Sequence, residues 1–207
     1  AAKLMLAMLP PQTAFFKLQV RDDKLGDTLD PMMRSELDLS FSKIERLIMD
    51  YIAASSDRVV VHQAFKHLIV SGNALIFMAK DGLKHYPLNR YVVERDGNGN
   101  VIEIITKEMV SRKVLGLTPP PSEEPNANGD YGVDGDDAEV YTCVKLDESS
   151  GNWRWHQEVD DMILAGSQST APKNASPWLV LRFNTVDGED YGRGRVEEFI
   201  GDLRSLD

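Results

Sequence analysis

The sequence predicts an α+β fold, in which N-terminal helices are followed by a mainly antiparallel sheet that leads into a C-terminal helix. Three observations carry this. Apolar residues recur every three or four positions across residues 34–71, the period turns strand-like from Ala74, and helical spacing returns after Gly194.

Taking the elements in order, residues 34–55 place Leu37, Phe41, Ile44, Ile48 and Tyr51 on one helical face. Asp30-Pro31 supplies the start signal, and Ser55-Ser56-Asp57 breaks the pattern and offers a cap for the next helix. That helix, 57–71, should bury Val61, Ala64, Phe65 and Leu68 and end at Ser71-Gly72-Asn73, with the glycine left-handed. Strands follow in ALIFMA, RYVVE and VIEIIT, separated by turns at Lys80-Asp81-Gly82 and Asp96-Gly97-Asn98-Gly99-Asn100, where glycine and asparagine tolerate positive φ. Together they read as a small antiparallel meander. Residues 116–139 hold many Pro, Gly and acidic residues and few apolar anchors, so they read as a flexible acidic insertion. Strand signals return in VYTCVKL and NWRWHQEV around the turn Asp147–Gly151, and PWLVLRF over 177–183 reads as a final buried strand. Val196, Phe199, Ile200 and Leu203 then mark a helix still in mid-pattern at Asp207.

With 207 residues, 42% of them hydrophobic, the chain can bury roughly 70% of its unfolded surface. No apolar run reaches the ~18 residues of a membrane helix. The apolar opening AAKLMLAML makes a poor export signal, because Pro10-Pro11 stands where small residues suited to cleavage are needed. The single cysteine, Cys143, cannot form an internal disulfide; flanked by Tyr141, Thr142 and Val144, it reads as a buried strand residue. Net charge is −10, and residues 118–139 contribute seven acids and no base, so the rest of the chain carries only −3. Nothing forms the basic stripe that grips phosphates, so any contact with DNA should be loose.

Motifs for chemistry are weak. His62, His67, His85 and His156 lack a cysteine or paired acid at metal-ligand spacing, and the acidic loop fails the calcium pattern, with Tyr141 where a bidentate Glu is required. Gly192-Arg193-Gly194 lacks the third glycine and the Lys-Ser/Thr of a phosphate loop. Glu197-Glu198 and Asp22-Asp23 are adjacent pairs that cannot face one cleft. No catalytic residue, cofactor or metal is therefore nominated. The segment Asp187 to Arg195 mixes charges, an aromatic and glycines, which suits a protein contact in which arginine forks bind carboxylates; an ordinary solvated loop explains it equally well.

Five strings in order, AAKLMLAMLPPQTAFFKL, KIERLIMDYI, FKHLIVSGNALIF, YVVERDGNGNVIEIIT and DGEDYGRGRVEEFIGDLRSL, closely resemble the portal (head-to-tail connector) proteins of short-tailed, T7-like bacteriophages, the podoviruses. Only 116–139 and 165–176 depart from the resemblance, at places where a change in loop length costs little. The most specific part runs from Tyr191 through EEFIGDLRSL.

The resemblance implies a structural, non-enzymatic subunit of a homo-oligomeric ring, usually of twelve copies, at the portal vertex of the virion, assembled in the host cytoplasm. Its channel passes duplex DNA loosely during genome packaging and ejection. Its faces would meet terminase, tail adaptor, internal core, scaffold and capsid proteins, with no membrane involved. By resemblance, residues 1–207 are one wing region of portal type, 191–207 begin the helix leading towards the stem, and stem, clip and crown lie beyond Asp207, with a short segment before Ala1. Tyr191, Arg193, Arg195, Glu197 and Glu198 are the candidate subunit-interface residues. The alternative is a virion adaptor or other protein-binding module sharing the wing-like body; a metal-dependent hydrolase using Asp130–Asp137 is a third and weaker reading.

Overall fold

Helix α1 (Ala2–Met8) opens the chain, followed by α2 (Pro31–Ala54) and α3 (Asp57–Ser71), in a computed structural model that describes residues 1–11, 13–19, 30–117, 121–125, 131–133 and 137–205. Pro31 stands at the first helical position of α2 with Asp30 as N-cap, where a missing N–H is no loss. α3 buries Ala64, Phe65 and Leu68 and half-buries Val61. It ends with Gly72 at φ +76°, left-handed as expected. Ser56 is the N-cap of α3 but makes no capping side-chain bond. The buried Asp57 carboxylate instead accepts the Leu83 N–H at 2.8 Å, tying the helix start to the sheet below.

Two antiparallel sheets stack beneath α3, where the sequence pattern suggests one meander. The first has order β11-β1-β2, from β1 (Asn73–Ala79), β2 (Gly82–Tyr86) and β11 (Trp178–Arg182). The second contains β3 (Tyr91–Arg95), β4 (Val101–Ser111), β7 (Asp137–Asp147), β8 (Asn152–Val159) and β10 (Ser169–Pro172) in the order β10-β8-β7-β4-β3, with β9 (Met162–Ile163) also on β8. β5 (Pro121–Pro125) pairs with β6 (Tyr131–Val133), so part of the 116–139 segment is strand, and Asp137 to Glu139 belong to β7. Residues 118–120, 126–130 and 134–136 of that segment, including Asp130, Asp134 and Asp136, lie outside the described residues, as do Asp22 and Asp23.

Strand alternation divides β1 between two cores. Ala74 and Ile76 face α3 and join Met5, Ala64, Phe65 and Leu68, while Leu75 faces the other way and joins Tyr86, Tyr91, Val93, Ile104, Val144, Trp153 and Trp178 between the sheets. The ring of Phe77 stacks on Trp178 at 4.2 Å. β11 is an edge strand in which only Trp178 is buried, against the fully buried strand expected.

The less exposed face of α2 also differs from the predicted stripe. Leu37, Phe41, Glu45, Met49 and Ile52 are half-buried, whereas Ile44, Leu47, Ile48 and Tyr51 are exposed, Leu47 at 67% and Tyr51 at 56%. The Leu18 N–H donates to Glu45 at 2.5 Å, so the helix turns this side to the N-terminal segment instead of its most apolar one. Arg58 holds the Leu9 carbonyl at 2.7 Å, which fixes the end of α1 against α3.

Candidate functional site at the strand-to-helix junction

Residues 183–194 return from β11 over the C-terminal end of α3, and their backbone lies so close to it that side chains do not fit. A Cβ on Gly194 would sit 2.2 Å from the Val70 carbonyl oxygen, and one on Gly72 would sit 2.2 Å from the Arg193 carbonyl carbon. Gly192 is tight as well, with the Arg182 Cβ and the Asn184 oxygen at 2.8 Å. The spacing Gly-Arg-Gly is thus explained by close backbone approach, which only glycine permits. Asn73 completes the join. Its amide donates to the Gly192 carbonyl and accepts the Gly192 N–H, both at 2.7 Å and both buried. The Phe183 N–H donates to the Gly72 carbonyl at 2.8 Å.

Each expected interface residue has a definite place here. Tyr191 turns inward: it is half-buried, packs against the core between the sheets, and its hydroxyl accepts the Val93 N–H at 3.1 Å. Arg193 is exposed and pairs with Glu189 at 2.8 Å. Arg195, the first residue of the short helix α4 (Arg195–Glu198), lies 3.6 Å from Glu198 and over the Phe183 ring. Glu197 is exposed, and Glu198 also accepts from the Asn184 amide. The structure brings Arg193, Arg195, Glu197 and Glu198 onto one solvent-facing surface, while Tyr191 anchors that surface from behind. Exposed pairs of this kind contribute only ~0–1 kcal/mol.

A second grip comes from Arg95, at the end of β3. Its N–H donates to the Asp190 carboxylate and its Nε to the Asp190 carbonyl, each at 2.9 Å, while a further guanidinium N–H reaches the Gly99 carbonyl. Burial, and then the Arg182 charge, hold the guanidinium of Arg95 below its ordinary pKa. The junction is therefore fastened to both sheets. Gly72, Asn73 and Arg95 carry this role without having been singled out for it in the sequence. The one available signal was that Ser-Gly-Asn ends a helix directly against a strand.

Past Gly194 the regular helix expected from the spacing is interrupted at Phe199, giving α4 and α5 (Ile200–Arg204), with Val196, Phe199 and Ile200 exposed. These side chains bury little area to stabilise a longer helix, and Gly201 weakens it further.

The whole chain, residues 1–207, matches the family model described as bacteriophage head to tail connecting protein. The chain belongs to this connector family. Over its full length it is 38% identical to the portal protein of Enterobacteria phage T3 and 38% identical to that of Escherichia phage T7. It is 29% identical to the portal protein of Enterobacteria phage SP6 over 98% of its residues. It spans about 39% of the length of these relatives. Among connector residues described here, no helix is long and apolar enough to cross a membrane.

Proposed function

We propose that this connector chain is the wing portion of a portal subunit, a structural and non-enzymatic part of a ring at the capsid vertex through which the phage genome is packaged and ejected. The observation that carries the reading is its whole-length likeness to two proteins named portal protein. Two features support it. The exposed stripe Ile44, Leu47, Ile48 and Tyr51 on α2 is an apolar surface that a second copy of the subunit would cover. The solvent-facing Arg193, Arg195, Glu197 and Glu198 offer both charge signs for the complementary contact that a head-to-tail ring needs. In this reading residues 191–207 begin the helix towards the stem, with 206–207 outside the described residues. Twelve copies close the ring, and terminase, tail adaptor, internal core, scaffold and capsid proteins dock on its faces. The net charge of −10 keeps duplex DNA from sticking while it slides. Cryo-electron microscopy of the subunit expressed at its relatives' full length tests this: closed annuli with an axial channel are expected, and a protein that stays monomeric at all concentrations overturns it.

A further inference from the structure

The outward face of the larger sheet holds a convergence of side chains that the portal reading does not use. Cys143 on β7 stands directly opposite His156 on β8, and alternation puts Glu158, two residues along, on the same face. The Cys143 Sγ, one His156 ring nitrogen and one Glu158 carboxylate oxygen all lie within 4.8 Å of one another. All three side chains are half-buried, and His156 Nε2 lies 2.7 Å from Glu158 Oε1.

We propose that Cys143, His156 and Glu158 bind a divalent transition metal ion of the zinc type, with solvent water as fourth ligand. One sulfur, one nitrogen and one oxygen donor make the mixed set that zinc accepts with an open position, whereas magnesium or calcium would want oxygen alone. A tetrahedral zinc with bonds of roughly 2.0–2.3 Å holds its ligand atoms about 3.3–3.8 Å apart. The observed separations run from 2.7 Å to at most 4.8 Å, so His156 and Glu158 must part by roughly 0.6 Å and the widest pair must close by up to about 1 Å. Glu103, on the adjacent β4 and diagonal to Cys143 on this face, adds a second carboxylate beside the thiol. β7 lies between β4 and β8, so the ligands stand on interior, hydrogen-bonded strands and not on a loop.

On binding, a sulfur–zinc bond forms as the metal sheds water, the thiol proton passes to solvent, and the Nε2 hydrogen that His156 shares with Glu158 Oε1 is exchanged through solvent for one on Nδ1, which frees the Nε2 lone pair. No electrons change hands.

Cobalt(II), a coloured substitute for zinc, tests this in reduced, tag-free protein. One equivalent should give thiolate-to-cobalt charge-transfer absorption that zinc displaces. Cys143→Ser should abolish that band, while His156→Ala and Glu158→Gln should each weaken binding at least about tenfold, the lower end of what losing even an outer-shell partner costs. No band in the wild type, or a band unchanged in Cys143→Ser, overturns the proposal. A second measurement needs no variant: zinc at about ten times its dissociation constant should slow alkylation of Cys143 by iodoacetamide about tenfold, because only the metal-free thiolate attacks. Equal rates with and without zinc overturn it.

Discussion

A methyl group on Gly194 would be driven into the carbonyl oxygen of Val70, backbone against backbone, and neither partner can rotate away. Gly194→Ala is therefore expected to lower stability by about 3 kcal/mol or more, read as a drop in the urea midpoint. Gly97→Ala, where nothing lies within 4 Å, should change it by less than about 0.5 kcal/mol. Asn73→Ala strips both partners from a buried peptide group at Gly192 and should cost about 2 kcal/mol or more by the same measurement. His85, on β2, faces α3 with its ring 4.7 Å from that of His67, and its pKa is pushed from 6.5 down to about 4, first by burial and then by the His67 charge. The unfolded chain then takes up the proton first. The contribution of neutral His85 is fully present above about pH 6.5 and is lost as pH falls towards 4. The urea midpoint should drop from pH 7 to pH 5 in the wild type, and less so in His85→Gln.

Among the elements, α2 is the one whose open face asks for a partner. Ile44, Ile48 and Tyr51 are exposed among the described residues, so replacing all three by Asp should lower the melting temperature only modestly while ring yield from the full-length subunit falls sharply, measured by size-exclusion chromatography. The C-terminal boundary of α3 and the turns at Asp96–Asn100 and Asp147–Gly151 were legible because a left-handed glycine cap and turn residues act locally. The orientation of α2 was not, since what decides it is a contact between Leu18 and Glu45, 27 residues apart. β2 was missed because GLKHY is short and mixes Lys and His into its alternation. In the junction the charged residues expected at an interface stood out in the sequence as a group with their glycines, and what the structure adds is that Arg193, Arg195, Glu197 and Glu198 are exposed. The inward turn of Tyr191 was not, because its partner Val93 is 98 residues away. The pairing of Cys143 with His156 was equally hidden, because ligand spacing along one strand says nothing about the strand beside it.

For the molecule as a whole, a net charge of −10 predicts that fluorescence anisotropy with a short DNA duplex shows no binding at about 0.15 M salt, and no salt slope at lower ionic strength. A slope comparable to that of several phosphate contacts would contradict the proposed role in a channel through which DNA slides. The order β11-β1-β2 has a consequence for how the chain is made. About 100 residues separate the end of β1 from the start of β11, and all of the larger sheet is contained between them. At roughly 5–20 residues per second, β1 leaves the ribosome about 5–20 s before the strand that completes its ladder. During that interval the larger sheet can finish on its own, reducing the gap to the width of four strand spacings, about 19 Å, and removing most of the entropy of closure. Nascent chains halted short of Trp178 keep an open apolar edge at β1, which makes them the species most in need of chaperone protection during infection.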